Sequence, residues 1–450
     1  MKRIPPTCAA LLLLFACARE LPPPPPAPAP NVVLIVANGF GVGAWSLARL
    51  TAQAAGERLA LDSADSYGFL AADVESEGAG KAGSRTPPLG QSLAEAGRAM
   101  GVVTTARVTG DVATLWIGSL DRGESGASLE DERARELIAL RPRVMFGGGR
   151  RHFLPRDSQG VRQDGRDLLA AAARAGWNVV DALPDSADGR KPLLGLFSDS
   201  RYPQELDRGG EPGLEEMTRI ALEQLRGAGE PWFLLVEEGC LDAAARDHDA
   251  ASLAADSGEL DRAVATILEH VDRSRTLVVA VGGRARAAPA VLADAHPESL
   301  SVVSSSVERL EWRIFGAGFH GTPEELERIA LPVLDREARH TGLSFQDLDR
   351  LLTSSRRSER KAVLGTILSR RFGIAFLALE DQAREGGEEG VLAELVPVRA
   401  WGPRAGELNG IRTHAELGRW LRDVLELPVA EHEPAEAPRA IDTTGTTAVG

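Results

Sequence analysis

The sequence predicts an α/β protein: a doubly wound, mostly parallel sheet with helices on both faces and a helical insertion. Three observations carry this. Apolar, β-branched runs alternate with stretches of helical periodicity. The first run ends in a Gly-rich turn, and residues 287–380 carry helical patterns without a clear strand. The composition, 43% hydrophobic and 26% charged over 450 residues, is ordinary for a globular chain.

Asn31–Ala37 (NVVLIVA) is nearly all apolar, so it reads as a strand buried on both faces, with Asn38-Gly39-Phe40-Gly41 as the turn at its carboxyl end. Gly101–Thr105, Val144–Phe146, Trp232–Glu237, Thr276–Val281 and Leu395–Trp401 repeat the strand pattern. Helical patterns cover Ser92–Met100, Leu168–Ala175, Leu214–Leu225 and Ala250–His270. In such sheets ligands bind beyond the carboxyl ends of the strands. That rule directs attention to Asn38, to Glu237–Asp242 and to Gly282–Arg284.

The N-terminus carries an export signal. Lys2 and Arg3 precede a short apolar run, Ala9–Ala16, too short to span a bilayer as a mature helix. Leu14-Phe15-Ala16-Cys17 resembles the bacterial lipoprotein box. Residues 1–16 then form the signal peptide, and 17–30 hold the lipidated Cys17 and a Pro-rich spacer. A plain signal peptide cut nearby is the other reading. The folded domain is expected over 31–427 and a disordered tail over 428–450. The implied location is the cell envelope, at the outer membrane or facing the periplasm, with the membrane as a partner through the anchor. The charge, 51 − 65 = −14, and the lack of a Lys/Arg block argue against nucleic acid. Cleavage removes Cys8 and lipid occupies Cys17, so Cys240 has no disulfide partner and the core alone must hold the fold.

Several motifs stand in a telling order: Val144–Pro155 (VMFGGGRRHFLP), Asp164-Gly165-Arg166-Asp167, Leu193–Phe197 (LLGLF), Phe233–Asp242 (FLLVEEGCLD) and Val396–Gly410 (VPVRAWGPRAGELNG). With Asn31–Gly41 as the opening strand and turn, the chain resembles the alkaline phosphatase family from about Asn31 to Leu427. The resemblance implies an alkaline-phosphatase-like fold, two zinc ions, one magnesium ion, a serine nucleophile and an arginine that grips phosphate. Two cations would offset the charge of a phosphate monoester, one activating the nucleophile and one stabilising the leaving oxygen.

Position by position, the ligands that the resemblance implies are mostly replaced. The opening aspartate is Asn38. Glu237 and Asp242 keep their carboxylates, but the glycine after Glu237 is Glu238, and the zinc histidine one helical turn beyond Asp242 is Arg246. A guanidinium cannot ligate zinc. His248, six residues past Asp242, turns to another face. The D-H pair of the next strand falls on Gly282 and Gly283, and the last histidine falls at about Val391. His340-Thr341-Gly342 matches the H-T-G of that histidine but lies far upstream, in the helical insertion. The magnesium threonine falls near Val112, with Asp111 beside it. Ser76 is the nearest match to the nucleophile, though its Gly-rich surroundings favour a surface-loop serine. Arg122 is the best match to the phosphate-gripping arginine; the alternative is an exposed helix-end arginine.

A zinc site left with one carboxylate binds metal weakly. The expected reading is therefore a catalytically dead or impaired relative without metal cofactors, kept as a tethered binding or scaffold protein. Arg122, Arg246 and Arg284 would offer it a phosphate-like anion as partner. The rival is an active phosphomonoesterase with remodelled zinc and magnesium sites, drawing on Asp111 and on histidines such as His248 or His320. Whether the chain is an enzyme stays open between them.

Overall fold

A computed structural model describes residues 29–71, 88–117, 127–229, 231–286, 289–316, 319, 321–376, 391–392 and 395–427. The expected leader, anchor cysteine Cys17 and tail lie outside the described residues, as do Ser76, Arg122 and His320.

The strands in chain order are β1 (Asn31–Gly39), β2 (Ser66–Ala71), β3 (Ala99–Arg107), β4 (Val144–Gly148), β5 (Asn178–Val180), β6 (Leu193–Ser198), β7 (Trp232–Glu238), β8 (Thr276–Arg286), β9 (Ala290–Val291), β10 (Ile374–Ala375), β11 (Val391–Leu392), β12 (Val396–Trp401) and β13 (Gly410–Thr413). Among the described residues eleven of them form one sheet in the order β13-β2-β12-β8-β1-β7-β3-β4-β6-β5, with β11 against β8. From β8 to β5 every neighbouring pair is parallel, while β12 runs antiparallel to both β8 and β2. This is the mostly parallel, doubly wound architecture expected.

Strand β1 shows why. Its side chains alternate between the two faces, and both faces are covered. Val33 and Ile35 enter one core with the helices Val42–Ala54, Leu214–Arg226 and Ala250–His270. Val32, Leu34 and Val36 enter the other, with the helices Leu168–Arg174 and His414–Val424. Burying one such side chain contributes about 1.5–3 kcal/mol, so a strand apolar at every position is stable only between two layers.

Two expectations need correction. The helix expected over Ser92–Met100 is Leu89–Glu95 instead. Gly97 takes φ +67°, turning the chain so that β3 starts at Ala99. The insertion is mostly helical (Val307–Phe315, Pro323–Ala338, Phe345–Thr353, Arg357–Arg370) but is not without strands. β9 and β10 pair antiparallel at its base, Ile374 opposite Val291. Its apolar residues Leu310, Leu334, Leu351 and Leu364 join the same core as the sheet face beneath, so it is packed onto the domain rather than set apart from it.

Candidate functional site

The carboxyl ends of β1, β3, β7 and β8 lie at one end of the sheet, and Asn38, Glu237, Asp242, Gly282 and Gly283 gather there. Ala37 lies opposite Glu238 on β7 and Gly282 on β8, and Thr104 of β3 lies opposite Glu237. The register of β1 against β8 shifts between Ala37 and Gly39, which pairs with Ala285, leaving Asn38 across from a bulge at Gly283–Arg284. Such bulges re-aim side chains at strand ends.

The turn after β1 is held close to the helix Cys240–Arg246. Gly39 takes φ +88°, and a Cβ there would lie 2.7 Å from the Asp242 Cα. Only glycine permits both the conformation and the approach. Asn38 and Asp242 are thereby brought to the same corner. Asp242 is buried and forms an ion pair with Arg246, one turn along the helix. The guanidinium thus sits on the carboxylate that the resemblance assigns to zinc.

The glycines of β8 are closely covered. A Cβ on Gly282 would lie 2.4 Å from the Phe40 carbonyl oxygen and 2.8 Å from the Val396 Cβ. A Cβ on Gly283 would lie 2.8 Å from the Asn38 Oδ1. The room that an aspartate and a histidine would need is taken up by a turn, a strand and an amide. Val391 occupies β11, opposite Arg286. Val112 packs, partly buried, against the core on the helix Asp111–Trp116.

Glu237 is buried and accepts a hydrogen bond from the Thr104 hydroxyl at 2.7 Å. Burial pushes its carboxyl up to about 7; the Thr104 bond opposes the shift, while the charges of Asp111 and Asp242 add to it. Glu238 points to different partners: it accepts the Thr105 hydroxyl and the Cys240 N–H at 3.0 Å. Burial raises its carboxyl well above the usual range. The Cys240 thiol is fully buried 3.6 Å from the Pro203 carbonyl oxygen, and burial raises it too.

Other candidates are committed elsewhere. The Asp111 side chain is 93% exposed and pairs with Arg133 at 3.0 Å. His248 faces the insertion: its Nδ1 is 2.8 Å from the Thr366 hydroxyl and its ring stacks on Phe376 at 4.9 Å. His340 follows the insertion helix Pro323–Ala338, where its backbone N–H binds the Leu334 carbonyl.

Sequence reasoning missed Thr104, which no motif marks, and His414. The His414 Nε2 lies 3.1 Å from the Gly283 carbonyl oxygen, at the first position of the helix His414–Val424. The capping pair Thr413 and Glu416 and the apolar spacing of Leu417, Trp420, Leu421 and Val424 mark that helix in the sequence, but nothing marks its approach to β8.

Zinc asks for about four nitrogen, sulfur or carboxylate ligands. The assigned positions supply one amide, two glycines, two valines, an arginine and the carboxylates of Glu237 and Asp242. This donor set does not fit a pair of zinc ions. Among the described residues, the group of three metal-ligating side chains close enough to share an ion is made of other residues, Glu205, Asp256 and Glu259.

Comparison with known proteins agrees with the fold. The alkaline phosphatase family model matches residues 70–288. The chain is 29% identical to streptomycin-6-phosphate phosphatase of Streptomyces griseus, over 73% of this chain and 90% of that protein. It is 32% identical to the membrane-bound alkaline phosphatase of Bombyx mori, but over 42% of this chain and only 41% of that protein's length. The alkaline phosphatase of Thermus thermophilus superposes with a TM-score of 0.73 at 22% identity, covering 89% of this chain and 92% of that one. That of the Antarctic bacterium TAB5 gives 0.60 at 17%, covering 89% and 99%. Strand order, motif order and these likenesses point the same way, to the alkaline phosphatase family.

Proposed function

We propose that this chain has lost most of its family's phosphomonoesterase activity and serves as a tethered binding or scaffold protein of the cell envelope. The observation that carries the reading is the Arg246–Asp242 ion pair. Removing metal from buried carboxylates leaves charge uncompensated, and a guanidinium on the same helix replaces part of it. The close cover over Gly282 supports the same reading. The partners are the membrane, through lipid on Cys17, and a phosphate-like anion held without hydrolysis at the strand ends.

A second reading has its own support. The named activity of the Streptomyces griseus relative, aligned over 90% of its length, favours a working phosphatase with remodelled sites built on Glu237 and Asp242. One preparation separates the two. The purified chain, dialysed against zinc and magnesium, is expected to hold well under one zinc per molecule and to turn over a chromogenic phosphate ester at background rate. Near-stoichiometric zinc with robust turnover would end the first reading. Tethering is tested apart from catalysis. Labelled palmitate is expected to enter the wild type and not a Cys17→Ser variant, and an unlabelled wild type would remove the anchor.

A further inference from the structure

A second polar cluster lies under the helix Ala250–His270, close to Glu238 at the end of β7 but made of other residues. Asp256 and Glu259, one turn apart on that helix, meet Glu205 at the start of the turn Glu205–Asp207. One oxygen from each lies within 4.8 Å of the other two. Asp256 and Glu259 are 0% and 1% exposed.

The cations nearby neutralise only part of this charge. Arg208 grips both oxygens of Glu259, its Nη2 lying 2.6 Å from Oε2, and Arg262 pairs with Glu205. Asp256 feels the Arg208 charge without an ion pair to it, and the buried Glu238 carboxyl lies close by. The Asp256 Oδ1 accepts the backbone N–H of Glu205 at 2.8 Å, while Oδ2, fully buried, has no hydrogen-bond partner. Among the described residues no ion pair reaches Asp256. The Glu205 Oε2 is likewise buried without a partner. An uncompensated buried carboxylate costs several kcal/mol, so the cluster as it stands lacks positive charge.

We propose that Glu205, Asp256 and Glu259 hold one hard divalent cation, calcium or magnesium, as a structural ion. Oxygens on opposite sides of such an ion stand about 4–5 Å apart, given metal–oxygen distances of about 2.0–2.6 Å. The carboxylates of the cluster match that span. An all-carboxylate set suits calcium or magnesium rather than zinc, which prefers nitrogen and sulfur ligands in structural sites. The ion would pin the Glu205–Asp207 turn, and through Arg208 the segment after it, to the long helix. The site shares no residue with the strand-end positions and stands whether or not they catalyse.

The test uses the full chain, stripped with chelator and exchanged into metal-free buffer. Titration calorimetry with calcium and then magnesium is expected to give one ion per chain for at least one of them. At a hundredfold excess over Kd that ion raises Tm by at least about 2 °C. Asp256→Asn keeps the Oδ1 acceptor and removes the charge, and is expected to abolish the shift. The double variant Glu237→Gln/Asp242→Asn, altered only at the strand ends, is expected to keep it. Wild type that takes up neither ion overturns the proposal without reference to any variant. So does an Asp256→Asn protein that responds like wild type, or a shift lost in the strand-end double variant.

Discussion

Gly282→Asp is expected to destabilise the protein by about 2–4 kcal/mol without raising its zinc content. The substitution restores the residue that the family resemblance places there, so a pocket that had merely lost its ligands would be repaired by it. The geometry says otherwise. The new Cβ would meet the Phe40 carbonyl oxygen at 2.4 Å and the Val396 Cβ at 2.8 Å, and both belong to elements that the sheet holds in place. Gly283→His costs less, because the nearest atom there, the Asn38 Oδ1 at 2.8 Å, belongs to a side chain, and the nearest backbone atom, the Asn38 Cα, is 3.1 Å away. Denaturant unfolding of each variant beside wild type, with zinc analysis of the same samples, checks the pair. A Gly282→Asp protein as stable as wild type, carrying stoichiometric zinc, would show that the corner had kept room for a metal.

His248→Phe is expected to change the pH dependence of stability by about 3 kcal/mol between pH 7 and pH 4. Burial between the helices around Ala250 and the insertion depresses the His248 imidazole from 6.5 to about 4. The unfolded chain therefore binds a proton below about pH 6.5 that the folded chain refuses until about pH 4. Stability from the neutral ring is present above pH 6.5 and is lost as pH falls through that window. Phenylalanine keeps the stacking surface against Phe376, loses the Thr366 bond and carries no proton. The variant is less stable than wild type at pH 7, and the gap narrows or reverses toward pH 4. Taking the difference between the two proteins cancels other groups, including Asp249, which burial raises to about 6 and whose contribution has the opposite sign. Urea unfolding at several pH values reads the gap directly; one independent of pH would mean that His248 titrates alike folded and unfolded.

The central strands were legible because burial on both faces forces an unbroken apolar run, as in β1, β7 and β8. The long helix Ala250–His270 could be read to its ends from its pattern and its Asp249 cap. The edges were not. β2 alternates buried with part-exposed positions, and β13 is largely exposed, so neither carries a run that differs from loop. The two-residue strands β9 and β10 are too short for any period to show. At the site, the substitutions at Asn38, Arg246, Gly282 and Gly283 could be read because motifs fixed their positions. What surrounds them could not. The Phe40 carbonyl over Gly282, Thr104 beside Glu237 and His414 beside Gly283 are contacts between distant parts of the chain. The same holds for Glu205, which lies fifty-one residues from Asp256 and meets it only in the fold.

β1 is walled by β7 and β8 at its sides and by a packed layer on each face. No local opening can bring deuterium to its amides, so they exchange only when the whole domain comes apart. The protection factors of Val33 to Ile35 therefore measure the global unfolding free energy in native buffer, with no denaturant and no extrapolation.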